Sequence, residues 1–145
     1  VELFHLEKQI MTTLTVLIAD DDDAQRGMQK LVLQEVSKKI NADIHIEETS
    51  DSIQTLKMLE AVKFDLVILD NEFKDGDKKG HLPGIAVLQL MRKAGPNMTT
   101  STVFCSGDPY DTLKSMAEKY GAVYYPKATA DADVMAALYA QLLRK

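Results

Sequence analysis

Residues 14–23 read LTVLIADDDD: a run of six residues, apolar at all positions but Thr15, that stops abruptly at four aspartates. Val16 and Ile18 are β-branched, and a short apolar run bounded by polar residues reads as a strand buried on both faces. Three further runs repeat the pattern. Residues 64–69 (FDLVIL) are closed by Asp70, residues 102–105 (TVFC) by Ser106 and Gly107, and residues 122–125 (AVYY) by Pro126 and Lys127. Residues 44–47 alternate apolar and polar, as an edge strand exposed on one face does. Helical periodicity fills the gaps. Met28, Val32, Val36 and Ile40 recur every four residues with Leu31 beside them, and Ile53, Leu56 and Leu59 mark a second helix capped by Ser50 or Asp51. Val87, Leu88 and Met91 mark a third, ending before Gly95-Pro96. A fourth starts at Asp108-Pro109, carries Leu113, Met116, Ala117 and Tyr120, and ends at Gly121. Val134, Ala137, Leu138 and Leu142 give the last its apolar face. Five strands and five helices in strict alternation predict an α/β fold with a parallel sheet.

The remaining composition narrows the function. The 145 residues suffice for one domain with its own core, and 46% hydrophobic with 27% charged residues excludes a mainly disordered chain. A net charge of −5 offers no overall basic field for nucleic acid or an anionic membrane. The lone Cys105 excludes a disulfide framework and multi-cysteine metal sites, and fits a reducing cytoplasm. No apolar run reaches the length of a membrane span, and no signal-type h-region opens the chain. Residues 1–12 stand outside the alternation and read as a vector-derived stretch or a linker helix with Leu3, Leu6 and Ile10 at helical spacing; the domain proper is residues 13–145. Residues 71–83 form a polar loop longer than most βα connections.

In an open parallel sheet, ligands bind at the carboxyl ends of the strands. Asp20 and Asp21 end the first strand and Asp70 the third. Adjacent strands would crowd these carboxylates, which is unfavourable unless a cation or a shared proton relieves it; a hard divalent cation prefers such oxygen ligands. Ser106 and Lys127 end two further strands on the same rim. Together they suit a small dianion on a carboxylate, its charge met by metal and ammonium and its oxygens by a hydroxyl.

These motifs, from about Thr13 to the C-terminus, resemble the receiver domain of two-component response regulators. The acid pair looks like Asp20-Asp21, the phosphoacceptor like Asp70, the switch hydroxyl like Ser106, the lysine like Lys127 and the aromatic switch position like Tyr124. The resemblance implies a flavodoxin-like (βα)5 three-layer sandwich with strand order 2-1-3-4-5. It further implies that Asp70 takes a phosphoryl group from a sensor histidine kinase or a histidine phosphotransfer protein. The cofactor would be Mg²⁺ (or Mn²⁺), on Asp21 and Asp70 directly, on Asp20 through water, and on the backbone carbonyl of Glu72. Ser106 would then move toward the phosphoryl group and Tyr124 turn inward, reshaping the face of the fourth helix, fifth strand and fifth helix. Such a module is a signalling switch with no direct nucleic-acid or membrane contact of its own.

The chain departs from the family at two places. Phe73-Lys74 stands for the usual Met-Pro after the acceptor, and about six extra residues precede Pro83-Gly84. Ala128 follows the lysine where most receivers have a proline, and Pro126 precedes it, which puts the reach of Lys127 toward Asp70 in question. Glu72 and Asp108 add acids beside the pocket and are expected to affect phosphoryl lifetime, unless Asp108 is simply a helix cap. Two rivals remain on sequence grounds. A pseudo-receiver would keep the fold as a protein-binding module. A haloacid-dehalogenase-like phosphohydrolase would want a second aspartate two residues after its nucleophile, where Asp70 has Glu72.

Overall fold

A computed structural model of the chain describes residues 12–73, 79–107 and 111–144. Most of the N-terminal stretch, the middle of the long loop (Lys74, Asp75, Asp77, Lys78) and the expected Asp108-Pro109 helix start lie outside the described residues. Five strands, β1 (Thr13–Ala19), β2 (Asp43–Thr49), β3 (Leu66–Asp70), β4 (Ser101–Ser106) and β5 (Val123–Pro126), alternate with five helices, α1 (Asp23–Ile40), α2 (Ser52–Ala61), α3 (Gly84–Lys93), α4 (Asp111–Lys119) and α5 (Ala132–Leu143). The sheet is parallel throughout, in the order β2-β1-β3-β4-β5. No helix among the described residues is long and apolar enough to cross a membrane.

Alternation along each strand sorts side chains into two cores. Val16, Ile18, Leu66, Ile68, Val103 and Cys105 face α1 and α5, where Val32, Leu33, Val36, Met135, Ala136, Tyr139 and Leu143 meet them. Leu17, Ala19, Val67, Leu69 and Phe104 face the other way, onto Leu59 of α2, Val87, Leu88 and Met91 of α3, and Ala117 of α4. Because β1, β3 and β4 are covered on both sides, the strands read as nearly continuous apolar runs. β2, at an edge, keeps exposed positions such as Asp43, His45 and Glu48.

The helix boundaries follow from their caps. Asp22 accepts hydrogen bonds from the Ala24 and Gln25 amides, Asp51 from Gln54 and Asp131 from Asp133 and Val134. Asn41 closes α1 at φ 51°, in a left-handed conformation that asparagine tolerates better than most residues. Gly121 does the same after α4 at φ 74°.

Two predicted faces are corrected. Leu31 of α1 is 64% exposed, since the buried stripe runs through Gln29, Val32, Leu33 and Val36. On α5, Val134 is 55% exposed and Ala137 also faces solvent, whereas Met135, Ala136, Tyr139, Ala140 and Leu143 are buried. The segment ADVMAALYAQLL is apolar on most sides, so periodicity admits more than one rotation about the helix axis. The choice is made by Tyr139, whose hydroxyl donates to Gln29 Oε1 at 2.7 Å inside the core.

Gly84 marks a close contact between a helix and the sheet. A Cβ there would sit 2.0 Å from the carbonyl oxygen of Asp70 and 2.7 Å from the Asn71 Cα. Gly84 N–H donates to the Asn71 carbonyl and Ile85 N–H to Asn71 Oδ1, so the start of α3 rests directly on the end of β3. Gly27, within α1, borders open space, and a Cβ there would meet nothing within 4 Å. Gly84→Ala is therefore expected to destabilise the fold by about 1–3 kcal/mol or more through overpacking, while Gly27→Ala stabilises it by about 1 kcal/mol through helix propensity. Urea titration of the two variants beside the parent checks both signs.

Candidate functional site

Sheet register brings the predicted residues together. β1 and β3 pair with Ala19 opposite Leu69, so Asp20 and Asp70, each one residue further on, lie side by side. β3 and β4 pair Asp70 with Cys105, and β4 and β5 pair Ser106 with Pro126, so Ser106 and then Lys127 complete the same rim. Lys127 opens a 3₁₀ turn (Lys127–Thr129). With Ala128 after it, and no cis peptide bond among the described residues, Lys127 Nζ still reaches 2.7 Å from Asp70 Oδ1. It also lies 3.7 Å from Asp20 Oδ2 and 4.0 Å from Glu72 Oε2.

Asp70 is 1% exposed. The ammonium meets Oδ1 as an ion contact rather than an aligned hydrogen bond, and the buried Oδ2 accepts none from the described residues. Burial raises the pKa of the Asp70 carboxyl to about 7; Lys127 acts against that rise, and the neighbouring Asp20 carboxylate adds to it. Burial also raises Asp20, opposed by the Asp22 amide, which donates to Asp20 Oδ1 at 2.9 Å, and by Lys127. Burial alone would lower Lys127, but its contact with Asp70 and the surrounding acids outweigh that and raise it.

Asp20, Asp21 and Asp70 each place one oxygen within 4.8 Å of the others. Oxygens ligating one Mg²⁺ at about 2.1 Å lie up to about 4.2 Å apart, so a small contraction of this set encloses such an ion. The orphaned, buried Asp70 Oδ2 is the second observation in favour: a buried anionic oxygen without a donor is costly, and a hard cation relieves it. The residues present fit a divalent cation.

Glu72 was expected to offer its backbone carbonyl, but what the structure shows at the site is its side chain. Its side chain enters the site, with Oε1 accepting from Ser106 Oγ at 2.6 Å and Oε2 from the Gly107 amide at 3.4 Å. Burial would raise its carboxyl, yet those donors and Lys127 together lower it, so Glu72 is an anion. The signal was its position two residues past Asp70, which marks proximity without direction. Tyr124 is half-buried on the second core, its ring 6.3 Å from that of Phe104 and tilted by 33°. Tyr125 points to the opposite core and its hydroxyl accepts from the Asp131 amide at 3.1 Å. Cys105 is a buried strand residue with its thiol pushed up by burial to about 12, as a small hydrophobe would be.

Two supporting residues were not legible in sequence. Arg26 of α1 donates to the backbone carbonyl of Asp20 at 2.7 Å while pairing with Asp23 and Glu48. Asn71 holds the start of α3, fourteen residues away, where no local motif points to it.

No family model matches the chain, and no curated protein matches it. Solved structures do. The receiver domain of a Francisella response regulator aligns at TM-score 0.64 and 22% identity over 90% of this chain and 97% of its own. A response regulator described as putative from Chloroflexus aurantiacus aligns at TM-score 0.74 and 18% identity over 92% of this chain and all of its own. A Burkholderia pseudomallei response regulator, solved with a phosphorylated aspartic acid, a calcium ion and citrate, aligns at TM-score 0.65 and 16% identity over 90% and 71%. Five parallel strands in the order 2-1-3-4-5, flanked on both faces by helices and aligned over 90–92% of the chain by such structures, give this chain the flavodoxin-like fold of response regulator receiver domains.

Proposed function

We propose that the protein is a phosphoacceptor module of a two-component or phosphorelay pathway, in which Asp70 accepts a phosphoryl group from a phosphohistidine. The observation that carries this reading is Asp70 itself: a carboxylate buried at a strand end, with Lys127 Nζ at 2.7 Å from one oxygen and two further aspartates beside it. The donor would be a sensor histidine kinase or a histidine phosphotransfer protein, acting in the cytoplasm. That a Burkholderia relative in fold has been solved with a phosphorylated aspartate and calcium supports the same chemistry here.

The step is a displacement at phosphorus. An Asp70 oxygen attacks in line, its electron pair forming the new P–O bond while the P–N bond to the donor imidazole breaks. The imidazole nitrogen keeps that pair and is protonated from solvent. Asp20, Asp21 and Asp70, with the Glu72 carbonyl, would hold Mg²⁺ or Mn²⁺, which supplies positive charge to the phosphoryl oxygens. Lys127, already at the acceptor, would neutralise charge on the same oxygens. Ser106 at the end of β4 would donate to a phosphoryl oxygen, and the half-buried Tyr124 beside Phe104 would follow it inward, repacking the face of α4, β5 and α5.

Incubation with Mg²⁺ and acetyl phosphate, followed by intact mass, is expected to add a single phosphoryl group, stable to acid and labile to alkali. Asp70→Asn abolishes the adduct, and Lys127→Ala slows its formation at least tenfold, which is ~1.4 kcal/mol of transition-state stabilisation. Continuous turnover of a phosphate ester would instead favour a phosphohydrolase, and an unmodified mass with bound metal a pseudo-receiver.

The metal-free protein carries a second, pH-dependent signature. Native Asp70 retains its proton up to about pH 7, whereas in the unfolded chain it loses it near pH 4. Between those values the native state binds more protons, so the contribution of Asp70 to stability falls as pH rises through that window, by up to ~4 kcal/mol. Asp70→Asn cannot ionise. Without Mg²⁺ it is expected to melt above the parent at pH 8, with the gap closing toward pH 4; a gap independent of pH overturns the assignment. Mg²⁺ at pH 8 raises the parent's melting temperature and leaves that of the variant nearly unchanged.

A further inference from the structure

We infer that the Glu72 carboxylate is an internal occupant of the phosphoryl pocket, held by the groups that would receive a phosphoryl group and displaced from them when Asp70 is loaded. This rests on the phosphoacceptor reading of Asp70 and adds a regulatory contact to it. The pocket beside Asp70 presents a hydroxyl on Ser106, the N–H of Gly107 and the ammonium of Lys127. Glu72 engages all of them: Oε1 takes the Ser106 hydroxyl at 2.6 Å, and Oε2 lies 3.4 Å from the Gly107 nitrogen and 4.0 Å from Lys127 Nζ. The 2.6 Å bond is in the range of charge-assisted hydrogen bonds, about twice as strong as neutral ones.

The position of Glu72 along the chain makes the contact specific. It is two residues past the acceptor, and its carboxylate reaches the Ser106 hydroxyl at the end of β4 and turns toward Lys127. A planar anion with two acceptor oxygens, set between a hydroxyl, an amide and an ammonium at the face of the acceptor, meets the same donors as the oxygens of a bound phosphoryl group. The two anions exclude each other, since like charges at this separation repel and no donor serves both fully.

Release of Glu72 needs little rearrangement. Its side chain is 46% exposed and stands on the connection leaving β3, so it turns out to solvent without opening the core. What is lost on release is the set of hydrogen bonds just named, and these return to the incoming group. Glu72 thereby slows loading and, in the unloaded protein, holds the Ser106 hydroxyl on the acceptor's side of the pocket.

The test compares the full chain with Glu72→Ala and Glu72→Gln, following phosphorylation by acetyl phosphate in saturating Mg²⁺ by intact mass. In that reaction Asp70 attacks phosphorus and acetate leaves with the electron pair of the broken P–O bond. Glu72→Ala is expected to load about tenfold faster than the parent, equivalent to ~1.4 kcal/mol. Glu72→Gln, which keeps an acceptor for Ser106 but no charge, falls between. In a Ser106→Ala background the gain from removing Glu72 shrinks, since the strongest part of the clasp is already gone. Thermal melts of each variant confirm that it is folded. Equal or slower loading of Glu72→Ala, with parent and variant both labelled on Asp70, overturns the inference and leaves the phosphoacceptor reading standing. Absence of label on every protein overturns both.

Discussion

A carboxylate buried at the end of the central strand β3 is the constraint around which the rest of the molecule is arranged. Asp70 has lost its water almost completely, and an isolated anion in that position would protonate or destabilise the fold. Lys127 answers it from just beyond β5, whereas the neighbouring Asp20 carboxylate makes the crowding worse. The cluster is thus crowded, with Asp20, Asp70 and Glu72 around one ammonium and a buried Asp70 oxygen that accepts no hydrogen bond from the described residues. Binding sites retain this kind of unsatisfied arrangement because the ligand completes it.

The framework behind the cluster is stiff for reasons that can be traced residue by residue. At the ligand edge, Gly84 lets α3 sit on the Asp70 carbonyl, Asn71 holds the first turn of that helix, and Arg26 holds the Asp20 carbonyl. At the opposite edge, buried Asn97 accepts from the Phe64 amide and donates to the Leu59 and Val62 carbonyls, fastening the end of α2 to the start of β3. Arg92 spans from α3 to the carbonyls of Thr100 and Tyr120 at 2.8 and 2.7 Å. Both ends of β3 are therefore tied by polar side chains, and the backbone that carries Asp70 is held at each end of the strand. Buried networks of this type fix one arrangement when all members are satisfied.

Strand runs and their terminal residues were legible because burial on both faces leaves an uninterrupted apolar signature, and because each run ends in a residue whose chemistry differs from its neighbours. LTVLIA followed by aspartates, FDLVIL by Asp70 and AVYY by Pro126-Lys127 place the strands and, through the register, the site. The rotation of α5 was not legible, since a helix apolar on most sides carries little phase information and the choice fell to the Tyr139–Gln29 bond across 110 residues. Arg26 and Asn71 escaped for a related reason: a polar residue that satisfies backbone groups leaves no periodic trace. The direction of the Glu72 side chain escaped because sequence places a Cα near a site and says nothing of which donors its carboxylate will find.

The exchange of Pro126 and Ala128 about Lys127 shows how much of such a site is set by topology. The residue after the lysine is not the usual proline, and sequence alone leaves the reach of its side chain open. Yet β5 pairs with β4 up to Pro126, so the peptide entering Lys127 is still held by the sheet. Pro126 fixes its own φ at −73° and cannot donate a ladder hydrogen bond, which suits the last residue of an edge strand. The chain then tightens into the 3₁₀ turn, and the lysine stem, three-quarters buried, is directed across the strand ends to Asp70. A long side chain launched from a pinned backbone position tolerates a different residue behind it. A short one such as Ser106, whose hydroxyl must be delivered by the strand itself, has no comparable freedom, and it is this hydroxyl that Glu72 holds.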